Sequence, residues 1–205
     1  MIDAARWLQV LRYCGVRLET AATWAPLFEK HIQADKFSLG QRELDDFLGQ
    51  ILHESNRLEA THENLNYSAQ RLMEVWPSRY QSLAEAKRYA WNPQALAERS
   101  YGMRADLGNI EPGDGFRFLG RGLIQITGRA NYALVEQLLG KPLTQFPELM
   151  EDPEIALRAA LLWWEKKVPD SAIDTIERVT RAVNGGQHGI EDRKWLTAKA
   201  ATALA

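Results

Sequence analysis

Apolar residues recur at three- and four-residue spacing along much of the chain. This spacing is typical of helices that bury one face, because about 3.6 residues make one helical turn. The clearest examples are Leu44, Phe47, Leu48, Ile51 and Leu52, followed later by Ile173, Ile176, Val179 and Val183. The pattern predicts a mainly helical protein.

Capping residues predict where several helices begin. In a capping box, a serine is followed three residues later by Gln or Glu, and the two residues satisfy free backbone N–H groups. Two pairs match it: Ser38 with Gln41, and Ser82 with Glu85. Asn92 and Asp152 each precede a proline, which suits the first position of a helix. Four helix starts are therefore predicted.

A glycine-rich stretch between residues 108 and 128 breaks the helical pattern. It contains two short alternating runs, Phe116–Leu119 and Leu123–Thr127, which predict a loop and a short β-hairpin. With no repeat and no flexible linker, we expect one catalytic domain over residues 1–205. Its larger lobe would comprise about 1–68 and 108–205, and a smaller helical lobe about 69–107.

Composition narrows the function classes. A net charge of −2 gives no general attraction to nucleic acid, so no nucleic-acid partner is expected. Cys14 is the only cysteine, which rules out an intrachain disulfide and a cysteine-based metal site. Arg6, Arg12 and Arg17 interrupt the N-terminal segment where a signal peptide would be apolar. No apolar run is long enough to predict stable membrane insertion.

Two glutamates nine residues apart, Glu54 and Glu63, form a candidate acid/base pair. On the predicted helix, Glu54 lies near the edge of the apolar stripe and should be half-buried. Glu63 follows in a segment rich in turn-forming residues. Glycosidases need one carboxylic acid and one carboxylate at the scissile bond. Periodicity alone favours ordinary surface glutamates, because the chain has 27 acidic residues.

Other chemistries have little support from motifs. The four histidines form no H-E-x-x-H sequence, and the glycines near 120 form no nucleotide-binding fingerprint. Trp163 and Trp164 lie in a helical run and are predicted to be core residues rather than a sugar platform. Cys14 is predicted to be a small buried thiol.

Four segments, spread over about 140 residues, form a recognisable set. They are Leu52-His53-Glu54-Ser55-Asn56, Glu63-Asn64-Leu65-Asn66-Tyr67-Ser68, Gly120-Arg121-Gly122-Leu123-Ile124-Gln125-Ile126-Thr127-Gly128 with Asn131-Tyr132, and Val183-Asn184-Gly185-Gly186 with Arg193. Taken together and in this order, they resemble family 19 glycoside hydrolases, and in particular the chitinase-like endolysins of phages.

The resemblance implies a lysozyme-like or chitinase-like helical fold with a short hairpin and a cleft between a larger and a smaller lobe. It makes Glu54 the general acid and Glu63 the second catalytic carboxylate. Thr127 would help to hold the attacking water. The positions that would line the sugar-binding cleft are Gln125, Asn131 and Asn184, and Arg193 would orient the carboxylates.

Family 19 chitinases invert the anomeric centre, so the resemblance implies that Glu63 acts as a base on water. Inverting enzymes hold their carboxyl groups roughly 6.5 to 9.5 Å apart, whereas about 5 to 5.5 Å would favour a nucleophilic role. No metal and no cofactor are expected.

Departures from plant-type chitinases favour peptidoglycan over chitin. The chain has a single cysteine, its N-terminal segment does not read as an export signal, and the two glutamates are only nine residues apart. Thr127 also replaces the serine familiar in chitinases. We therefore expect a muramidase-like endolysin that hydrolyses β-1,4 bonds of bacterial peptidoglycan and lyses the host cell. Alternatives are a chitinase acting on N-acetylglucosamine polymers, a lytic transglycosylase, and a non-catalytic wall-binding module.

The resemblance also implies where such an enzyme works. It would be made in the cytoplasm of the host bacterium and act on the cell wall in the periplasm. It would depend on a separate holin-like protein that permeabilises the membrane. We expect it to act as a monomer.

Overall fold

Helices make up most of the computed structural model, which describes residues 2–33 and 36–205. The mainly helical architecture predicted from the apolar spacing is thus confirmed. The α-helices are α1 (Ala4–Tyr13), α2 (Leu18–His31), α3 (Gln41–Glu54), α4 (Ala69–Val75), α5 (Leu83–Lys87), α6 (Pro93–Tyr101), α7 (Asp114–Arg117), α8 (Arg129–Leu139), α9 (Pro153–Lys167), α10 (Ile176–Asn184) and α11 (Ile190–Leu204). Short 3₁₀ turns lie at Ala105–Leu107, Pro147–Glu151 and Asp170–Ala172.

Three of the four predicted helix starts are confirmed. The side chains of Ser82, Asn92 and Asp152 accept hydrogen bonds from the backbone N–H three residues later, at the starts of α5, α6 and α9. Each cap satisfies a donor that has no partner within its helix.

The predicted cap at Ser38 is wrong. Gly40 precedes α3, and no side chain caps it. The hydroxyl of Ser38 instead donates to the carboxylates of Glu43 and Asp170. Glu43 is buried and also accepts the indole N–H of Trp164, so tertiary packing determines what Ser38 binds.

The glycine-rich stretch forms less β-structure than its alternation suggests. The prediction of extended chain at Phe116–Leu119 is wrong, because residues Asp114–Arg117 form α7. The Asp114 carboxylate accepts two backbone N–H groups, from Ile110 and Glu111, and pairs with Arg129, which stabilises a helical turn there. Within the described residues, β-structure is limited to isolated bridges that join Arg121 to His62 and to Ile126.

The first of two compact units comprises residues 2–33, 36–61, 122–125 and 148–205. Aromatic rings meet edge to face in its core, with ring centroids 5.2 Å apart for Trp7 and Phe28 and 5.3 Å apart for Phe47 and Trp164. Trp164 and Cys14 are buried, as predicted, and Trp163 is partly buried.

The second unit comprises residues 62–121 and 126–147. It includes the predicted smaller lobe, 69–107, and extends beyond it at both ends. One apolar cluster of this unit comprises Leu65, Leu72, Tyr80, Ala86, Leu96 and Ala97. In neither unit does a described helix have the length and apolarity needed to cross a bilayer.

Candidate active site

Glu54 is the last residue of α3, in the first unit. Its side chain is 18% exposed, so the predicted half-buried position is confirmed. A carboxyl group at such a boundary can reach a bound molecule while its environment is fixed by the protein.

Arg193, on α11, holds one oxygen of the Glu54 carboxylate. Its side chain is only 2% exposed, and its Nη2 lies 2.5 Å from Glu54 Oε1. Nη1 donates to Gln50 Oε1 over 2.5 Å, and Nε donates to the carbonyl of His188 over 3.0 Å. Every nitrogen of the guanidinium therefore has an acceptor, which fixes the plane of the group. A buried, fixed cation beside Glu54 can stabilise negative charge on that carboxylate.

Gly49 explains how α11 comes close enough to α3 for this contact. A Cβ at this position would overlap the hydroxyl of Thr197 and lie 3.2 Å from the carbonyl oxygen of Arg193. A second contact joins the same two helices. His53, the residue before Glu54, donates to the carboxylate of Asp192, the residue before Arg193.

The backbone immediately after α3 is strained. Asn56, Arg57 and Leu58 have φ values of 49, 59 and 66°, in the left-handed region that side chains other than glycine disfavour. Leu58 is buried and its N–H donates to the hydroxyl of Ser55, while Arg57 pairs with Asp192. Strain of this kind persists only where neighbouring contacts impose it, and it is frequent at functional sites.

Two further predicted residues lie in the first unit. The Asn184 amide donates to the His188 carbonyl over 3.4 Å, and Arg193 binds the same oxygen. Asn184, Arg193 and Glu54 are thus linked. Gln125 lies in the 122–125 loop with φ 54°, and its amide donates to the Gly122 carbonyl over 3.1 Å.

Glu63 lies in the second unit, where both of its carboxylate oxygens accept hydrogen bonds. The phenol of Tyr101 donates to Oε1 over 2.6 Å, and the backbone N–H of Gly120 donates to Oε2 over 3.4 Å. The backbone N–H of Glu63 donates in turn to the Gly120 carbonyl over 2.8 Å. Burial raises the pKa of Glu63 above its ordinary value, and the bonds from Tyr101 and Gly120 oppose that rise.

Tyr101 is a residue that the sequence reasoning missed. It is the last residue of α6, and its carbonyl accepts from the Asn109 amide over 2.8 Å. The Asn109 oxygen accepts from the backbone N–H of Arg129, which ties this position to the start of α8. Burial and the neighbouring Glu63 raise the pKa of Tyr101, so its phenol stays protonated and remains a donor. No motif or spacing marks this tyrosine as a partner of Glu63.

Thr127 and Asn131 also lie in the second unit. Arg121 forms bridges to His62 on one side and to Ile126 on the other. Glu63 follows His62 and Thr127 follows Ile126, so both are anchored to the chain at Gly120–Arg121. The Asn131 amide donates to the Thr127 carbonyl over 2.7 Å.

Each unit therefore carries one of the two predicted carboxylates with its own set of partners. The first links Glu54, Arg193 and Asn184, and the second gathers Glu63, Thr127 and Asn131 around one backbone segment. Over residues 2–33 and 36–205, no cluster of histidine, cysteine, aspartate and glutamate is arranged to hold a metal ion.

Solved structures similar to this chain are family 19 chitinases. Chitinase C from Streptomyces griseus matches with a TM-score of 0.66 and 17% identity, over 99% of this chain and 92% of that one. A bacterial family 19 chitinase matches with a TM-score of 0.64 and 15% identity, over 100% and 95% of the two chains. A class IV chitinase from Zea mays gives 0.53 at 18% identity, over 98% and 80%. The predicted chitinase-like fold is confirmed.

Sequence relatives identify the family. A glycosyl hydrolase family 19 domain-containing protein of Haemophilus influenzae is 35% identical over 147 residues, which is 72% of each chain. An acidic endochitinase of Populus trichocarpa is 32% identical over 128 residues, 62% of this chain and 31% of its own length. No family model matches the sequence. The resemblance to family 19 is nevertheless confirmed by the bacterial relative: the chain belongs to glycosyl hydrolase family 19 and is a chitinase-like glycoside hydrolase.

Proposed function

We propose that this glycoside hydrolase is an endolysin that cleaves β-1,4 bonds in the glycan strands of bacterial peptidoglycan, with Glu54 as general acid and Glu63 as general base. The observation that carries the proposal is the distinct environment of each carboxylate. Glu54 is held by a buried arginine, and Glu63 is held by the phenol of a half-buried tyrosine and by a backbone N–H.

The surroundings of Glu54 suit a group that ends the reaction step with a negative charge. As the acid gives its proton to the leaving oxygen, charge develops on its carboxylate. The guanidinium of Arg193 is already 2.5 Å from Glu54 Oε1, and its other nitrogens are engaged. Donors fixed in advance stabilise developing charge without reorganising during the reaction.

The surroundings of Glu63 suit a base. A base must be ionised to accept a proton from water, and a raised pKa makes the ionised form a better acceptor. Tyr101 and Gly120 donate to the ionised carboxylate and oppose its premature protonation. Thr127, anchored to the same segment, would help to hold the water. Gln125, Asn131 and Asn184 would contact the sugar chain.

Peptidoglycan and chitin share β-1,4-linked N-acetylhexosamines, so the choice between them rests on departures from the plant enzymes. The single cysteine, the nine-residue separation of the glutamates and the threonine at 127 favour peptidoglycan. The second candidate, a chitinase, is favoured by the endochitinase names of the plant relatives, although this chain covers only 25 to 31% of their length.

The enzyme would be made in the cytoplasm of a host bacterium, reach the periplasmic side with the help of a holin-like protein, and lyse the cell. It would act as a monomer without a cofactor.

Product analysis separates the candidates. Purified peptidoglycan and the N-acetylglucosamine hexamer are each incubated with the enzyme, and the products are reduced and identified by mass spectrometry. An endolysin of this kind releases muropeptides with new reducing ends from peptidoglycan faster than it cleaves the hexamer. Faster cleavage of the hexamer would make the protein a chitinase. Products with 1,6-anhydro ends would indicate a transglycosylase, and binding without products would indicate a wall-binding module.

A further inference from the structure

Trp91, in the second unit, is a large apolar residue that lies mostly in solvent. The residue is 69% exposed, the highest fraction among the exposed large apolar residues that the structure describes. An indole left in water contributes little to the core, and exposed aromatic groups often mark binding surfaces.

The backbone conformation at position 91 is unfavourable for tryptophan. It ends the turn after α5 with φ 56°, a conformation in which a bulky residue is an outlier and glycine is favoured. A glycine would relieve this strain and lose few buried contacts. The residue type at position 91 therefore does not serve the stability of the turn.

Contacts of the backbone connect Trp91 to the segment that carries Glu63. The N–H of Trp91 donates to the carbonyl of Tyr67 over 2.9 Å. Tyr67 is four residues after Glu63, so their Cα atoms are at most about 14 Å apart even if the chain is extended. The half-buried ring of Tyr67 packs beside Trp76, with centroids 5.2 Å apart, which stiffens the attachment.

We propose that Trp91 is a remote glycan-binding platform, which stacks its indole on a sugar ring of the β-1,4-linked N-acetylhexosamine chain, several rings from the bond that is cut. The apolar face of a pyranose ring matches a flat aromatic surface. A polymer bound at Glu63 continues past the reacting sugars and so can reach such a platform. This inference rests on the proposed function and adds a determinant of chain-length preference.

The test compares Trp91→Gly with the wild type on N-acetylglucosamine tetramer, the corresponding hexamer and purified peptidoglycan. Loss of one stacking contact should raise KM for the hexamer and for peptidoglycan about threefold to tenfold. The kcat values and the KM for the tetramer should stay unchanged, because a short chain does not reach the platform. The melting temperature should stay equal or rise, since glycine fits φ 56°.

Two further variants sharpen the test. Trp91→Tyr keeps a flat ring and should restore most of the hexamer affinity. Trp195→Ala removes another exposed tryptophan, 45% exposed on α11, and should leave KM unchanged. Equal KM values for Trp91→Gly and Trp195→Ala would overturn the inference.

A direct measurement of binding distinguishes a failure of the proposed function from a failure of the proposed role of Trp91. Titration calorimetry of the hexamer against the wild type and Trp91→Gly measures affinity without turnover. If the wild type cleaves neither polymer, the proposed function fails, and a weaker hexamer affinity in Trp91→Gly would still support the platform. If the wild type cleaves peptidoglycan but both proteins bind the hexamer equally, only the platform is refuted.

Discussion

Replacing Tyr101 with phenylalanine removes the hydroxyl that donates to Glu63 over 2.6 Å and leaves the ring in place. The lost hydrogen bond favours the ionised carboxylate, so its removal raises the pKa of Glu63 further above its ordinary value. A base works only when ionised. The variant should therefore lose activity at a higher pH than the wild type as the solution is acidified.

The size of the effect follows from the energy of that bond. A hydrogen bond to a charged group contributes about 1.5 to 3 kcal/mol net, and about 1.4 kcal/mol is a factor of ten in an equilibrium. Glu63 is partly exposed, and water can replace some of the lost interaction, so we take the lower limit. On the acidic side of the profile, the variant should be about tenfold slower than the wild type. Well above the pKa of Glu63, the two rates should converge.

The assay is the initial rate of reducing-end release from purified peptidoglycan between pH 4 and 9. Tyr80→Phe is the matched control, because Tyr80 is another tyrosine of the second unit, buried, whose ring packs against Tyr89 and Arg99. Its pH profile should overlay that of the wild type. A Tyr101→Phe profile that falls by the same factor at every pH would refute the reasoning, since a structural defect has no reason to follow the titration of Glu63.

Three substitutions test the packing and charges of the first unit by urea unfolding. Arg193→Met should lower the free energy of unfolding by about 3 kcal/mol, because it leaves Glu54 partly buried and unpaired; a loss below about 1 kcal/mol would contradict the contact. Gly49→Ala should cost about 1–3 kcal/mol through overlap with Thr197, and an unchanged midpoint would mean that the helices are not so close. Burial raises the pKa of Asp46 to about 6, so its contribution to stability is present below about pH 4 and is lost as the pH rises through 6. Asp46→Asn should therefore match the wild type near pH 4 and exceed it by about 2–3 kcal/mol at pH 8; equal stability at pH 8 would refute this.

Local signals in the sequence predicted local structure well. The caps at Asn92 and Asp152 need only residues within one helical turn, and the half-buried position of Glu54 follows from the apolar stripe of its own helix. Ser38 shows the limit of this reasoning. The buried carboxylate of Glu43 competes for its hydroxyl, and no capping pattern contains that information.

The candidate site was predictable only as far as the family motifs reach. They supplied Glu54, Glu63 and Arg193, and the structure adds how two of these are held together. Tyr101 could not be predicted, because it lies 38 residues from Glu63 in sequence and only the tertiary fold brings them together. The hairpin was overestimated because alternation at Phe116–Leu119 is weaker than the ion pair and N–H contacts that fold α7.

Whether Glu54 and Glu63 carry the reaction is tested most directly by reducing-end release from purified peptidoglycan by Glu54→Gln and Glu63→Gln. Circular dichroism and melting temperature first establish that both variants are folded. Loss of a positioned acid or base should lower the rate by about 10² to 10⁴ in each variant, with binding to the walls retained. If Glu54→Gln releases reducing ends as fast as the wild type, the two-carboxylate mechanism is wrong.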